Sequence, residues 1–480
     1  MEPTKEQLDA VKLFQTGENL KISAFAGAGK TSTLKMISRS REQSGLYLAF
    51  NKKIADEAKA GFPGHVECRT THSVAFRAVK ERFSSITKLT HSIYPRQLSA
   101  LRQYKKQLFS PSFALDETQL AYIVLKTVAA FCQGDSGELG RQHVPRYGAL
   151  IGQKASTLEA VKSWTLSEAT KLWNEMKDSR SDMPLGHDGY LKLWALDRPK
   201  IGFGYILLDE AQDTSPVILD VLQHQDSQIV YVGDRHQQIY EWRGAVNAMA
   251  NIATAHDAYL TQSFRFGPEI ARAASAVLAA LGESRQIRGN EGVASSIVCA
   301  GKPTAILART NATVIFEVVD SLGQGKKPFI VGGTEELKRL INDVFELKKR
   351  QPAKSPEFFG FTTWPDVVEF AGSEEGRSLK SFVQLVEAKG EVHLWNAISA
   401  VADQERDANV VISTAHKAKG CEWDIVKLAG DFLNYRADCE LDLDDSEIRL
   451  FYVAMTRAKQ TLIVAPEILQ LFTSGLGAKR

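Results

Sequence analysis

The sequence predicts an α/β protein built from two parallel-sheet domains, each interrupted by a mainly helical insertion. Three observations predict it. Short apolar runs recur along the chain, each followed by a polar loop and then a helical pattern; this alternation is that of a parallel sheet, with its chemistry at the strands' carboxyl ends. The alternation stops near residue 80, resumes near 200, and is interrupted again over 335–406. Finally, 480 residues exceed one ordinary domain at about 150 residues each.

The runs at 20–25, 46–50, 205–208, 229–232 and 259–261 read as buried strands of the first domain, and helices start near Lys30, Lys52, Pro216 and Pro268. Between them, helical patterns at 95–109, 118–131 and 156–176 mark the first insertion. A second set of strands is expected at 304–307, 329–331, 410–412, 425–428 and 462–464, interrupted by the charged, helix-rich stretch 335–406. The expected division is 1–80 with 200–262 as the first domain and 81–199 as its insertion. The second domain is then 263–334 with 407–480, and 335–406 is its short insertion.

Composition narrows the function. Hydrophobic residues make up 44% and charged residues 24%, which argues against disorder and low complexity. Net charge is only +2, which excludes a uniformly cationic surface but leaves room for a local basic groove. Cys68, Cys132, Cys299, Cys421 and Cys439 are scattered without a CxxC pair, so reduced thiols are expected rather than a disulfide framework or a zinc site. The first residues are charged and lack a signal-type apolar stretch. No run of about 18 apolar residues offers a membrane span. A cytoplasmic or otherwise intracellular protein without membrane partners is expected.

Two stretches carry phosphate chemistry. Ala24-Phe25-Ala26-Gly27-Ala28-Gly29-Lys30-Thr31 follows a strand and opens a helix. Small residues let backbone N–H groups close around phosphate oxygens, and the helix N-terminus adds positive potential. Ala26, Gly27, Ala28, Gly29, Lys30, Thr31 and Ser32 are therefore the candidate nucleotide cradle. Lys30 is expected to reach the phosphates and Thr31 to bind Mg²⁺. Asp209-Glu210 ends an apolar strand, where carboxylates without a partner would be costly. Asp209 is placed to hold Mg²⁺ and Glu210 to orient and deprotonate a water.

Further motifs occur in order: Thr4-Lys5-Glu6-Gln7, Phe50-Asn51-Lys52, Thr71-His72-Ser73, Asp209-Glu210-Ala211-Gln212-Asp213, the segment from Val232-Gly233-Asp234 to Trp242-Arg243-Gly244-Ala245, Ser263-Phe264-Arg265, Thr414-Ala415-His416-Lys417-Ala418-Lys419-Gly420-Cys421-Glu422-Trp423, and Tyr452-Val453-Ala454-Met455-Thr456-Arg457-Ala458. Together they resemble the UvrD/Rep-type superfamily 1A DNA helicases from Gln7 to Lys459. Phe50-Asn51-Lys52-Lys53-Ile54-Ala55 and His187-Asp188-Gly189-Tyr190-Leu191-Lys192-Leu193-Trp194 look most similar to the F-box DNA helicase branch, here with no F-box expected.

The resemblance implies two tandem RecA-like domains with ATP between them. It implies that Gln7 reads adenine, Glu422 accepts from ribose, and Gln237 senses the terminal phosphate. Arg265 and Arg457 would act as arginine fingers, a role suited to a planar fork that stays charged. Phe264 stands where the family usually has Tyr, so a hydroxyl is lost there. Phe50, Asn51, Thr71, His72, Tyr240, Trp242, Thr414 and His416 would contact DNA, with the aromatics stacking on bases; core packing is the competing explanation for each ring. The implied activity is an ATP- and Mg²⁺-dependent helicase or translocase moving 3′ to 5′ on single-stranded DNA, in repair, recombination or defence. Its expected partners are single strands and junctions with duplex, together with a nuclease or recombinase. The alternative is a DNA-stimulated ATPase that strips proteins from single strands or senses DNA ends for a partner nuclease, with little unwinding alone.

If the aromatic pair couples DNA to the motor, Trp242→Ala lowers DNA stimulation of ATP hydrolysis more than it lowers the basal rate. Steady-state ATPase assays with and without an oligonucleotide check this; equal losses count against coupling.

Overall fold

The computed structural model describes residues 2–239, 248–432 and 444–474. In chain order the strands are β1 (Leu20–Ala24), β2 (Gly45–Ala49), β3 (Val66–Thr70), β4 (Gln107–Ser110), β5 (Phe113–Leu115), β6 (Tyr205–Leu208), β7 (Gln228–Gly233), β8 (His256–Leu260), β9 (Ser296–Val298), β10 (Ala305–Ala308), β11 (Pro328–Ile330), β12 (Val410–Thr414), β13 (Trp423–Leu428) and β14 (Ala458–Ile463). They form two six-stranded parallel sheets, ordered β3-β2-β6-β7-β1-β8 and β11-β12-β10-β13-β14-β9. The expected α/β class with two parallel sheets is what the chain adopts.

The central strands β2, β6, β7, β10 and β12 are buried along their whole length. That is why they read as continuous apolar runs instead of alternating ones: both faces are covered. Successive side chains still point to opposite faces. Leu46, Leu48, Ile206 and Leu208 pack with the first insertion, against Leu98, Val124, Phe131 and Trp173. Tyr47, Tyr205 and Leu207 face the opposite way, toward Phe14, Leu34 and Ile37. The second sheet repeats the arrangement. Ile306 and Ala308 meet Leu340, Val344 and Phe382 from the stretch after residue 334. Ala305 and Leu307 meet Ile270, Val277, Tyr452 and Met455. Each excursion of the chain thus covers one face of a sheet.

The structure corrects the sequence reading in places. The helix expected over 95–109 ends at Arg102, where Gln103 turns left-handed at φ 53°. Residues beyond it form the antiparallel hairpin β4–β5. The strand expected at 259–261 runs instead from His256 to Leu260. Two edge strands, β3 and β9, were not foreseen. In β3 only Val66 and Cys68 are buried, while the charged Glu67 and Arg69 between and after them are half-buried, so the run lacks a continuous apolar signal. In β9 all three residues are half-buried.

The excursions also touch each other. Ala149 N–H donates to the Phe359 carbonyl at 2.8 Å. Phe359 is buried among Phe113, Leu115, Leu120, Ile123 and Val144 of the first excursion. Gly148 has φ 46°, and a Cβ there would lie 2.3 Å from the Phe359 oxygen, so only glycine permits this approach. The four described cysteines are free thiols, and Cys439 lies outside the described residues. Among the described residues no helix is long and apolar enough to cross a membrane.

Leu307 is fully buried at the centre of the second sheet. Leu307→Ala removes that contact area and leaves a cavity, so a loss of about 2–5 kcal/mol is expected. Urea unfolding checks it, as a lower midpoint with unchanged slope; an unchanged midpoint would mean that the sheet is not packed as described.

Candidate active site

The cradle forms where β1 ends. Gly27 and Gly29 both take positive φ, 72° and 74°, and the helix Lys30–Arg39 starts directly after them. The turn is closed by Ala28 N–H donating to the Phe25 carbonyl at 3.1 Å. Beside it, β6 delivers Asp209 and Glu210, the latter in a left-handed conformation at φ 52°. Strained backbone at a non-glycine residue is held in place by its surroundings. Here Lys30 Nζ donates to Glu210 Oε2 at 3.0 Å and Gln212 Nε2 to the same oxygen at 2.6 Å. Thr31 Oγ1 donates to Asp209 Oδ2 at 3.3 Å, and the Tyr47 hydroxyl reaches that oxygen at 2.8 Å.

The opposite wall comes from the second half of the chain. Gly27 Cα lies so close to it that an added Cβ would meet Ser263 Oγ at 2.6 Å and Arg265 Cβ at 2.7 Å. Phe264 N–H donates to the Gly27 carbonyl at 2.9 Å. Arg265 donates to Glu422 at 2.7 Å and to the Thr456 carbonyl at 3.1 Å. Arg457 is only 2% exposed; it donates to the Val453 carbonyl and, at 3.3 Å, to Gln237 Oε1. Lys419 pairs with Asp213 and donates to the Gln237 carbonyl at 2.6 Å. A cleft of about 470 Å³ results, lined by Gly27–Ser32, Glu210, Gln237, Arg265, Lys419 and Arg457 among others. Lys30, Glu210, Arg265 and Arg457 therefore share one cavity, although they are separated by up to 427 residues of sequence.

Electrostatics define what this cavity suits. Burial opposes the charge of Lys30, but Glu210, Asp209 and Asp234 outweigh it and hold Lys30 above its usual value. Burial would also raise Glu210; Lys30, Lys419 and the Gln212 bond bring it down to about 2. Asp209 goes the other way, raised by burial and then by Glu210. Burial, followed by the neighbouring Arg265 guanidinium, lowers Arg457 to about 9, so it stays charged at neutral pH. Both signs are thus crowded with their own kind. An anion near the two guanidinium groups and a cation near the two carboxylates relieve each other's neighbours, and a metal–polyphosphate supplies both. The residues fit that group. Thr31 and Asp209 offer hard oxygen donors, and Mg²⁺ takes only one or two protein carboxylates beside phosphate and water. Among the described residues no cluster of three or more His, Cys, Asp or Glu is placed to hold a metal ion.

Residues 3–258 match the UvrD/REP helicase N-terminal domain, and residues 302–466 the UvrD-like helicase C-terminal domain. The chain belongs to the UvrD-like helicase family. It is similar to F-box DNA helicase 1 of Gallus gallus, 32% identical over 95% of this chain and 48% of that protein. It is similar also to F-box DNA helicase protein 1 of Schizosaccharomyces pombe, 29% identical over 97% of this chain and 57% of that protein. A shorter match, 36% identical, covers 16% of the chain and 11% of the ATP-dependent DNA helicase PcrA of Leuconostoc citreum. The chain spans about half the length of the two F-box relatives.

In this member of the UvrD-like family Gln7, Phe50, Asn51 and Glu422 lie in or beside the same cleft, while His416 lies apart from it. Gln7 is buried beside Gly29, its amide occupied by Thr4 N–H at 3.0 Å and the Thr33 hydroxyl at 3.2 Å. Glu422 is engaged by Arg265. Phe50 is 54% exposed and lines the nucleotide-sized cleft as well as a cavity of about 250 Å³ with Thr71 and His72. Asn51 caps the helix Lys52–Lys59 by accepting from Ile54 N–H. His72 lies 3.5 Å from Asp188. Thr414 accepts from Lys417 N–H, and His416 lines a separate cavity with Arg309 and Glu447. Tyr240 and Trp242 lie outside the described residues. Sequence reasoning did not single out Lys419, Asp213, Gln212, Asp234 or Tyr452, although all lie in quoted motifs. Tyr47 had one signal, a tyrosine in an otherwise aliphatic strand.

Gly27→Ala combines a left-handed backbone with two contacts under 3 Å. We expect it to cost about 1–3 kcal/mol and to push the Ser263–Arg265 wall outward. Thermal denaturation checks this, and a wild-type midpoint would show that the seam is looser in solution.

Proposed function

We propose that this chain is an ATP- and Mg²⁺-dependent motor that moves 3′ to 5′ along single-stranded DNA and separates strands at a junction with duplex. The observation that carries the reading is the shared cleft: Lys30 and Glu210 stand on one wall, Arg265 and Arg457 on the other. Membership of the UvrD-like family and similarity to F-box DNA helicases support it. Bound nucleotide with its metal supplies the phosphoryl group whose transfer to water releases the free energy.

The chain's own residues then have distinct tasks. Lys30 and the backbone N–H groups of Gly27, Gly29, Lys30 and Thr31 would bind the phosphates, Ala26 and Ala28 shaping the turn with their own N–H groups on Tyr452 and Phe25, and Thr31 with Asp209 would hold the cation. Glu210 is ionised at neutral pH and accepts from a water. A carboxylate held near 2 is an orienting acceptor first; it becomes a better base when Lys30 turns to phosphate and stops stabilising its charge. Arg265 and Arg457 contact developing charge from the far side, so binding favours the closed cleft and loss of the bridge lets it reopen. Gln7 and Glu422 serve base and sugar, and Gln237 connects the cleft to the segment containing Tyr240 and Trp242. In our reading Phe50, Asn51, Thr71, His72, Thr414 and His416 join those aromatics along the DNA path. The division into 1–80 with 200–262, 81–199, 263–334 with 407–480, and 335–406 is part of the same reading. So is work inside the cell in repair, recombination or defence, alongside a nuclease or recombinase.

Lys30→Ala is expected to lower ATP turnover at least a hundredfold while keeping some binding to single-stranded DNA, because it removes the charge facing the phosphates. A variant hydrolysing ATP at the normal rate would refute the site assignment. Strand separation is tested on 3′-tailed, 5′-tailed and blunt DNA with an RNA control. ATP turnover stimulated by DNA without strand separation would favour a protein-stripping or end-sensing role.

A further inference from the structure

Tyr452 has no place in the chemistry above, yet its hydroxyl sits at a junction of three elements. It belongs to the helix Asp445–Met455 of the second half and is fully buried. Its oxygen accepts from Ala26 N–H of the cradle at 3.0 Å. Its proton goes to Asp234 Oδ2, also at 3.0 Å. Burial, and then the Asp234 charge, holds the phenol well above its ordinary range, so it remains a donor.

Asp234 is itself a hub at the end of β7. Its Oδ2 also accepts from Gln237 Nε2 at 2.8 Å, and its Oδ1 from His236 N–H at 3.0 Å. Its own N–H donates to Gln212 Oε1, whose amide nitrogen holds Glu210. Gln237 is thereby oriented with its nitrogen on Asp234 and its oxygen toward Arg457. One hydroxyl from the second half therefore touches the cradle backbone and the carboxylate that orients Gln237. From Asp234 the sequence runs on to Tyr240 and Trp242.

We propose that Tyr452 is a positioning residue that links the state of the cleft to the Asp234–Gln237 segment, so that DNA engagement and ATP turnover are coupled through its hydroxyl. The inference rests on the motor reading of the same site. A buried tyrosine needed only for packing would serve equally well as phenylalanine, since the ring fills the same space. The hydroxyl is the part that makes hydrogen bonds to the first half. A hydrogen bond to an ionised group also contributes more than a neutral one.

The test is Tyr452→Phe in the full chain, read as the ratio of ATP turnover with a single-stranded oligothymidine to turnover without it. That ratio does not depend on the fraction of folded protein. The expected result is a fall in the ratio of about tenfold or more, the size of one charge-assisted hydrogen bond. Asp234→Asn is expected to lower the ratio as well, and the double variant to fall no further than the worse single one. If Tyr452→Phe keeps the wild-type ratio, or if the two losses add, the inference is overturned while the motor reading stands. Should Tyr452→Phe not fold, retention of the full ratio by Asp234→Asn overturns it. A wild-type chain with no DNA-stimulated turnover overturns the motor reading, and this inference with it.

Discussion

Buried charge at the seam is the constraint on which the rest depends. Lys30, Asp209, Glu210 and Arg457 are all taken largely out of water, and each would be costly alone. They are tolerable because each finds a partner across a short distance: Lys30 on Glu210, Thr31 and Tyr47 on Asp209, Gln237 and backbone carbonyls on Arg457. Parallel sheets make this feasible. The carboxyl ends of β1, β6 and β7 converge, so the cradle, the acidic pair and Asp234 arrive side by side without long loops.

Charges are paired both within each half and between them. Lys30–Glu210 closes the first half's charges, and Arg265–Glu422 the second's. Polar contacts across the seam include Lys419–Asp213, Arg235–Glu283, Arg288–Glu6, Arg457–Gln237, Phe264 N–H on the Gly27 carbonyl and the Tyr452 hydroxyl. Of these, Asp213 is held up to about 6 by burial despite Lys419, so this link is poorly solvated and depends on its partner staying close. Apolar side chains cross the seam as well, since Phe25, Ala26 and Ile239 share a buried cluster with Phe266, Ile270 and Ala415; the polar contacts are the ones whose partners a ligand's charge can exchange without unfolding either sheet.

How much of this was legible in the sequence follows from the same physics. Lys30, Asp209 and Glu210 were readable because charged residues at the ends of apolar strands need a reason, and the glycines announce where the backbone must turn. Arg265 and Arg457 were not readable from spacing alone; they gained meaning from the motif resemblance, since a surface arginine and a cleft arginine look alike in a sequence. The central strands were readable because both faces are covered. The edge strands β3 and β9 were not, since an edge strand interrupted by the charged Glu67 and Arg69 resembles a loop. The hairpin β4–β5 hid inside a helical pattern because nothing at Gln103 marks a left-handed turn; a glycine there would have. Gln7 was legible as a residue close to the cradle, but not the use of its amide by Thr4 and Thr33.

In the motor proposed above, opening and closing one seam must also accommodate every other contact between the halves. The Phe359 contact is such a place. It buries an aromatic side chain from the second excursion in the core of the first and adds a backbone hydrogen bond at Ala149. Burying a phenylalanine is worth about 1.5–3 kcal/mol, more than an exposed ion pair supplies. The Phe359 contact therefore joins the same halves as the seam and as the ion pairs Arg288–Glu6 and Arg235–Glu283. A rotation that opens the cleft by pivoting about Phe359 keeps that burial. One that separates the halves bodily loses it together with the seam. For the proposed motor, a pivot that keeps Phe359 buried therefore costs less than a bodily separation of the halves.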